Sequence, residues 1–128
     1  MASINCRRVW LGTVVAAVVW FIWTTLVNAL IMSSHYAAAQ QAGKILQDSR
    51  YGFFPIFWLA TIFILSMIIA WAYAAVRTTY GPGPKTALLV GLAVGFAAAF
   101  PVNLSLAAWS TLERIIPLWW MIDLWVGA

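Results

Sequence analysis

Residues 80–86 read YGPGPKT, and this stretch separates two long apolar runs. Its Lys-Thr ending raises the question of a phosphate-binding loop. Such a loop needs Gly directly before Lys and backbone N–H groups turned toward the phosphates, but Pro84 precedes Lys85 and Pro82 removes a second N–H. The dinucleotide-binding pattern also fails, because Thr86 stands at its last glycine. We therefore predict no nucleotide site, and expect a short, stiff turn between two antiparallel helices.

The composition around this turn is that of a membrane protein. Hydrophobic residues make up 65% of the 128-residue chain and charged residues only 8%, against about 25% charged in a soluble domain. The net charge of +4 could suggest nucleic acid. However, the seven Lys and Arg residues stand at the ends of apolar runs, which is typical of topology signals. We predict an all-α integral membrane protein with no nucleic-acid partner.

Four apolar runs predict four transmembrane helices in a single domain, over residues 9–32, 53–76, 87–108 and 115–128. A helix needs about 20 residues to cross the hydrocarbon core. The fourth run spans only about 21 Å at the helical rise. We expect that it is cut short in this chain, and a re-entrant segment is the alternative. Residues 37–47 could form a further helix along the membrane surface.

The charges at the helix ends predict the orientation. Arg7, Arg8, Arg77 and Lys85 share one side with no acid, whereas the other side mixes basic and acidic residues. Since basic loops stay cytoplasmic, we expect a multi-pass protein of the bacterial inner membrane with a cytoplasmic N-terminus. Tyr36, Tyr51, Trp58, Trp109, Trp119 and Trp120 would mark the outer interface.

Small residues recur every four positions along the first three helices. The third carries Ala87, Gly91, Gly95 and Ala99, followed by Asn103, and the second carries Ser66, Ala70 and Ala74. In the first, Gly12 and Ala16 begin a matching row that continues with Trp20, Thr24 and Asn28. Such rows let helix backbones approach closely, so we interpret them as packing faces. The alternative is a groove for a flat ligand such as a quinone, a carotenoid or a chlorophyll-like ring.

Three polar residues lie at similar depth within the apolar runs: Asn28, Asn103 and Asp123. If the helices form a bundle, these three could share a hydrogen-bonded cluster. Intramembrane carboxyl groups are costly and mark functional or contact sites. We expect Asp123 to be hydrogen bonded inside the bundle, with a proton or cation path and a polar link to another subunit as alternatives. His35 is a candidate pigment ligand. The single cysteine and single histidine cannot form a metal site of the usual Cys/His kind.

Residues 78–95, TTYGPGPKTALLVGLAVG, resemble a family of small, uncharacterised bacterial membrane proteins. The resemblance implies four helices, with the Gly-Pro-Gly-Pro-Lys-Thr turn opening a small-residue third helix, and it implies no function. Members of that family carry an acid in the fourth helix, which Asp123 matches, and their fourth helix runs on further than Ala128.

The sequence shows no nucleophile–base pair, metal cluster or cofactor motif, so we predict that the chain is not an enzyme. The leading hypothesis is a non-catalytic accessory subunit that packs among lipids and other transmembrane subunits of a photosynthetic or respiratory complex. A pigment or quinone could be held at the subunit interface. The alternative is a homo-oligomeric carrier or channel for a proton, cation or small apolar solute that uses Asp123.

Overall fold

The computed structural model describes residues 5–128, which form four helices and no strand. They are α1 (Cys6–Gln41), α2 (Phe54–Tyr80), α3 (Pro84–Trp109) and α4 (Ile115–Gly127). The predicted all-helical class is confirmed. The first three helices are long and apolar enough to cross a membrane, whereas α4 is apolar but has 13 residues.

The first helix is longer than the sequence suggested. It continues past Met32 to Gln41, so residues 37–41 belong to α1 and do not start a separate surface helix over 37–47. The reason is packing: Val27, Met32 and Ala39 are buried together with Ile116 of α4. This contact gives the polar end of α1 a partner that its own composition does not reveal.

A π-helical segment, Val27–Met32, interrupts α1 between two α-helical parts. A π turn shifts the backbone hydrogen bonds by one residue and widens the helix locally, and such turns are frequent at functional sites. The segment begins at the level where Asn28 of α1 hydrogen-bonds to Asp123 of α4.

The YGPGPKT stretch forms the expected tight connection between α2 and α3. Gly81 has φ +83° and ψ 156°, a backbone conformation that is essentially restricted to glycine. The backbone N–H of Gly83 donates to the Tyr73 hydroxyl at 3.2 Å, and Thr86 Oγ1 donates to the Gly81 carbonyl at 2.8 Å. These bonds fix the turn to the last turns of α2 and the first turn of α3.

The helices form a ring in which α1 packs against α2 and α4, and α3 packs against the same two helices. Glycines bring α4 close to its neighbours. A Cβ on Gly95 would lie 2.7 Å from the Ala128 Cβ and 3.1 Å from Trp125 Cδ1, and one on Gly91 would lie 2.8 Å from the Ala128 carbonyl oxygen. The middle of the α3 row is therefore covered by α4 and is not open to a flat ligand.

Candidate functional site

Polar side chains of α1 and α4 meet inside the bundle. Thr24 and Asn28 are four residues apart and so lie on one face of α1. This face meets Asp123 of α4, which is only 2% exposed. Thr24 Oγ1 donates a 2.6 Å hydrogen bond to Asp123 Oδ2, and Asn28 Nδ2 donates one of 3.3 Å to the same oxygen. The structure thus brings together two of the three residues expected to cluster.

Two aromatic side chains extend this contact toward the start of α4. Trp120 Nε1 donates to the Tyr36 hydroxyl, which in turn donates to Asn28 Oδ1. We call Thr24, Asn28, Tyr36, Trp120 and Asp123 the polar cluster. It forms one connected set of hydrogen bonds between α1 and α4.

The backbone of α4 is held at the same level. Trp23 Nε1 donates to the Asp123 backbone carbonyl at 3.2 Å. Asn28, inside the π segment, also donates to the Thr24 carbonyl at 2.8 Å. The side-chain amide therefore satisfies a backbone acceptor of α1 and the carboxyl group of α4 together.

Two buried polar atoms at this interface have no hydrogen-bond partner within residues 5–128: Asp123 Oδ1 and Trp20 Nε1. Trp20 is 2% exposed and lies one turn from Thr24, and a Cβ on Gly127, one turn from Asp123, would overlap its indole ring. Leaving a buried polar group unpaired costs about 1–3 kcal/mol. The α1–α4 contact is therefore tight but incompletely satisfied.

The third residue of the expected cluster lies apart. Asn103 is buried on α3, and its amide donates to the Ala99 carbonyl of the same helix at 2.8 Å. Among the described residues it forms no hydrogen bond with Asn28 or Asp123. Of the three residues predicted to cluster, only Asn28 and Asp123 meet. Thr24 and Tyr36 join them, and neither was predicted to belong to the cluster.

His35 is half-buried near the end of α1 and takes part in none of these hydrogen bonds. Within residues 5–128, no three His, Cys, Asp or Glu side chains are grouped to hold a metal ion. Three cavities of about 280, 370 and 480 Å³ are lined mainly by α1 and α2, and neither His35 nor Asp123 lines any of them.

The packing residues predicted from the small-residue rows divide into two groups. Gly91, Gly95 and Ala99 are buried, whereas Gly12, Ala16 and Ala87 all line the 280 Å³ cavity. The small-residue rows are therefore continuous in the sequence, but α4 covers only part of each row.

Two members of the polar cluster, Tyr36 and Trp120, were predicted to mark the outer membrane interface. Both are hydrogen bonded within the cluster, and their position relative to a membrane stays a prediction. Tyr36 lies eight residues after Asn28 in the sequence. This spacing would have indicated that the two side chains are close, but only if α1 had been predicted to continue past residue 32.

No protein-family model matches the chain, and no curated protein or solved structure is detectably similar to it. The family resemblance of residues 78–95 stays a prediction.

Proposed function

We propose that this chain is a non-catalytic accessory subunit that packs among lipids and other transmembrane helices in a bacterial inner membrane complex. Three helices long and apolar enough to cross a membrane support the location. At about 1.5 Å per residue, the 36 residues of α1 exceed a hydrocarbon core of about 30 Å. On this proposal, the polar end of α1 lies outside the core.

The distribution of charge supports a cytoplasmic N-terminus. Basic side chains gather where α1 begins and α2 meets α3: Arg7, Arg8, Arg77 and Lys85. At the opposite end, three basic residues are offset by Asp48 and Glu113. The positive-inside rule counts the basic residues, which are four against three, and so favours the first end as cytoplasmic.

The enclosure of Asp123 is the observation that carries the proposal. A carrier or channel needs its carboxyl group to face a wet cavity or a subunit axis. Here the carboxyl group is buried against Thr24 and Asn28 of the same chain and lines none of the three cavities. The polar cluster therefore supports a structural role, in which it fixes α4 on α1 while the outer faces meet other helices.

A proton or cation carrier is the second candidate, favoured by the unpaired, buried Asp123 Oδ1. The hydrogen bonds from Asp123 pass through Asn28 before they reach Tyr36. A carboxamide has no titratable proton, so this chain of bonds is a poor proton path. We therefore rank the carrier below the accessory subunit.

The first test is gentle extraction from native membranes, followed by native mass spectrometry and an absorption spectrum of the same fraction. The proposal expects the protein within a larger assembly of other subunits, and an absorbing fraction would add a pigment or quinone. A protein that emerges alone as a stable, colourless homo-oligomer would contradict the accessory role.

Asp123→Asn separates the two candidates. Asparagine keeps an oxygen that can accept from Thr24 and Asn28, so an accessory subunit should assemble as the unaltered chain does. Proton flux into proteoliposomes is followed with a pH-sensitive dye, and Asp48→Asn, outside the helices, is the control. Flux that is present in the unaltered protein and lost only in Asp123→Asn would establish the carrier instead.

A further inference from the structure

The π segment of α1 lies between two stretches of the helix that bury the same face. Trp20, Thr24 and Val27 are buried and spaced by four and three residues, as on one face of a regular α-helix. Met32 and Ala39 are buried and seven residues apart, so they too share a face. Both sets meet α4, the first through the bond from Thr24 and the second through a buried apolar cluster.

The spacing across the segment does not fit a regular helix. Val27 and Met32 are five residues apart, yet both are buried in one cluster with Ile116 of α4. At about 100° per residue, five residues of an α-helix turn about 140° beyond a full turn, so the two could not both face α4. A π turn holds one residue more than an α turn. The segment therefore absorbs one residue, on the outer side where Leu30 is 75% exposed.

Hydrogen bonds to α4 hold α1 in this form. Asn28 lies within the segment and donates to Asp123 Oδ2 at 3.3 Å, and its Oδ1 accepts from the hydroxyl of Tyr36, which lies beyond the segment. Trp120 of α4 donates to the same hydroxyl. On the opposite side, residues 29–31 are exposed. Because π-helical turns are rare compared with α-helical ones, we expect α1 to be a regular α-helix once these bonds are absent.

We propose that the π segment is a conformational switch that couples the polar cluster to the polar end of α1, residues 33–41. When the bonds of Asn28 break, α1 becomes a continuous α-helix, and residues 33–41 turn by about 100° around its axis, the angle of one residue. Each residue of this end then takes the place of the next, so Ala38 comes to lie where Ala39 is buried. The inference goes beyond the accessory role and does not depend on it, because every part of the switch belongs to this chain.

The exposure of two neighbouring alanines reports the switch. Ala39 is 1% exposed, whereas Ala38 is exposed. Ala38→Cys or Ala39→Cys is introduced into the full chain with Cys6→Ser, which is reconstituted in phosphatidylcholine nanodiscs and labelled with a water-soluble maleimide. Each labelling rate is divided by the rate of the same variant unfolded in SDS.

With no further substitution, we expect position 38 to react about tenfold faster than position 39, because a buried thiol reacts only when its segment opens locally. Asn28→Leu removes the bonds that this side chain makes in the polar cluster and should reverse the order. Tyr36→Phe, which removes one hydroxyl, should raise the rate at position 39 relative to position 38 by about threefold. Thr25→Val is the matched control: its hydroxyl bonds only within α1, and the order should not change.

Deletion of Leu30 tests the origin of the rotation. It removes the absorbed residue, so α1 keeps Ala39 on α4 as a regular helix, and Asn28→Leu should no longer reverse the order. An order that Asn28→Leu leaves unchanged in the full-length chain would overturn the switch. Equally fast labelling at both positions would show that residues 33–41 unfold instead of turning, and would overturn it as well. A deletion variant that labels both positions alike, or that still reverses with Asn28→Leu, would show that the π segment is not the source of the rotation.

Discussion

The contact of Gly127 with Trp20 gives the sharpest test of how α4 is held. A Cβ added at Gly127 would overlap Trp20 Nε1 and Cδ1, since real Cβ contacts essentially never fall below 3.0 Å. Trp20 is buried and its indole ring is rigid, so α4 has to move for Gly127→Ala to be accommodated.

The magnitude follows from two opposing effects. Overpacking a tight interface costs about 1–3 kcal/mol. Replacing glycine by alanine in a helix gains up to about 1 kcal/mol, and less at the last helical residue. We expect Gly127→Ala to lower the free energy of unfolding by about 1–2 kcal/mol.

The assay is unfolding in mixed micelles with increasing SDS, followed by circular dichroism. Gly12→Ala is the control, because its Cβ would lie 3.9 Å from the nearest atom, the Ala70 Cβ, which is ordinary contact. In a Trp20→Ala background, the cost of Gly127→Ala should fall, since alanine has no ring atoms to clash with the added Cβ. Equal stability of the two alanine variants, or the same cost in both backgrounds, would refute the close contact.

Two further substitutions probe the polar cluster and the turn. Thr24→Val removes the shorter of the hydrogen bonds to Asp123 and should lower the free energy of unfolding by about 1–3 kcal/mol in the same assay. The control is Thr25→Val, whose hydroxyl is exposed and bonded only within α1, and it should change the free energy of unfolding by less than about 0.5 kcal/mol. Equal effects of the two variants would argue against the polar cluster as the anchor of α4. Gly81→Ala should lower the free energy of unfolding by about 1–3 kcal/mol through backbone strain. The control is Gly52→Ala, where φ is not positive and a Cβ meets open space. If Gly81→Ala is as stable as the unaltered chain, the turn relaxes without strain.

Local features of the fold could be predicted from the sequence. The turn at residues 80–86 is specified by its own glycines and prolines, which permit few backbone conformations. The length of α1 could not be predicted, because the helix beyond Met32 depends on Ile116, more than eighty residues away in the sequence. Polar residues 33–41 carry no local sign of that contact.

For the candidate site, the sequence predicted how deep each polar residue lies along its helix. It did not predict which side of the helix faces Asp123. Counting residues placed Asn28, Asn103 and Asp123 at one level, and two of them do meet. Asn103 instead satisfies its amide on the Ala99 carbonyl of its own helix, a local alternative that is open to any asparagine in a helix. Which amide turned toward Asp123 was decided by the packing of α4 between α1 and α3.

The two kinds of contact on α4 have different roles. Between helices in lipid there is little hydrophobic driving force, so association depends on close packing and on interhelical hydrogen bonds. Gly91, Gly95 and Gly127 supply the close approach, but small residues alone permit a helix to slide along its partner. The bond from Thr24 to Asp123 exists at one register only, because a shift of one turn would carry the carboxyl group away from Thr24 and Asn28 and leave it unpaired in an apolar setting. The buried acid is therefore best understood as the element that fixes the register of α4, and this is why we assign it to structure before transport.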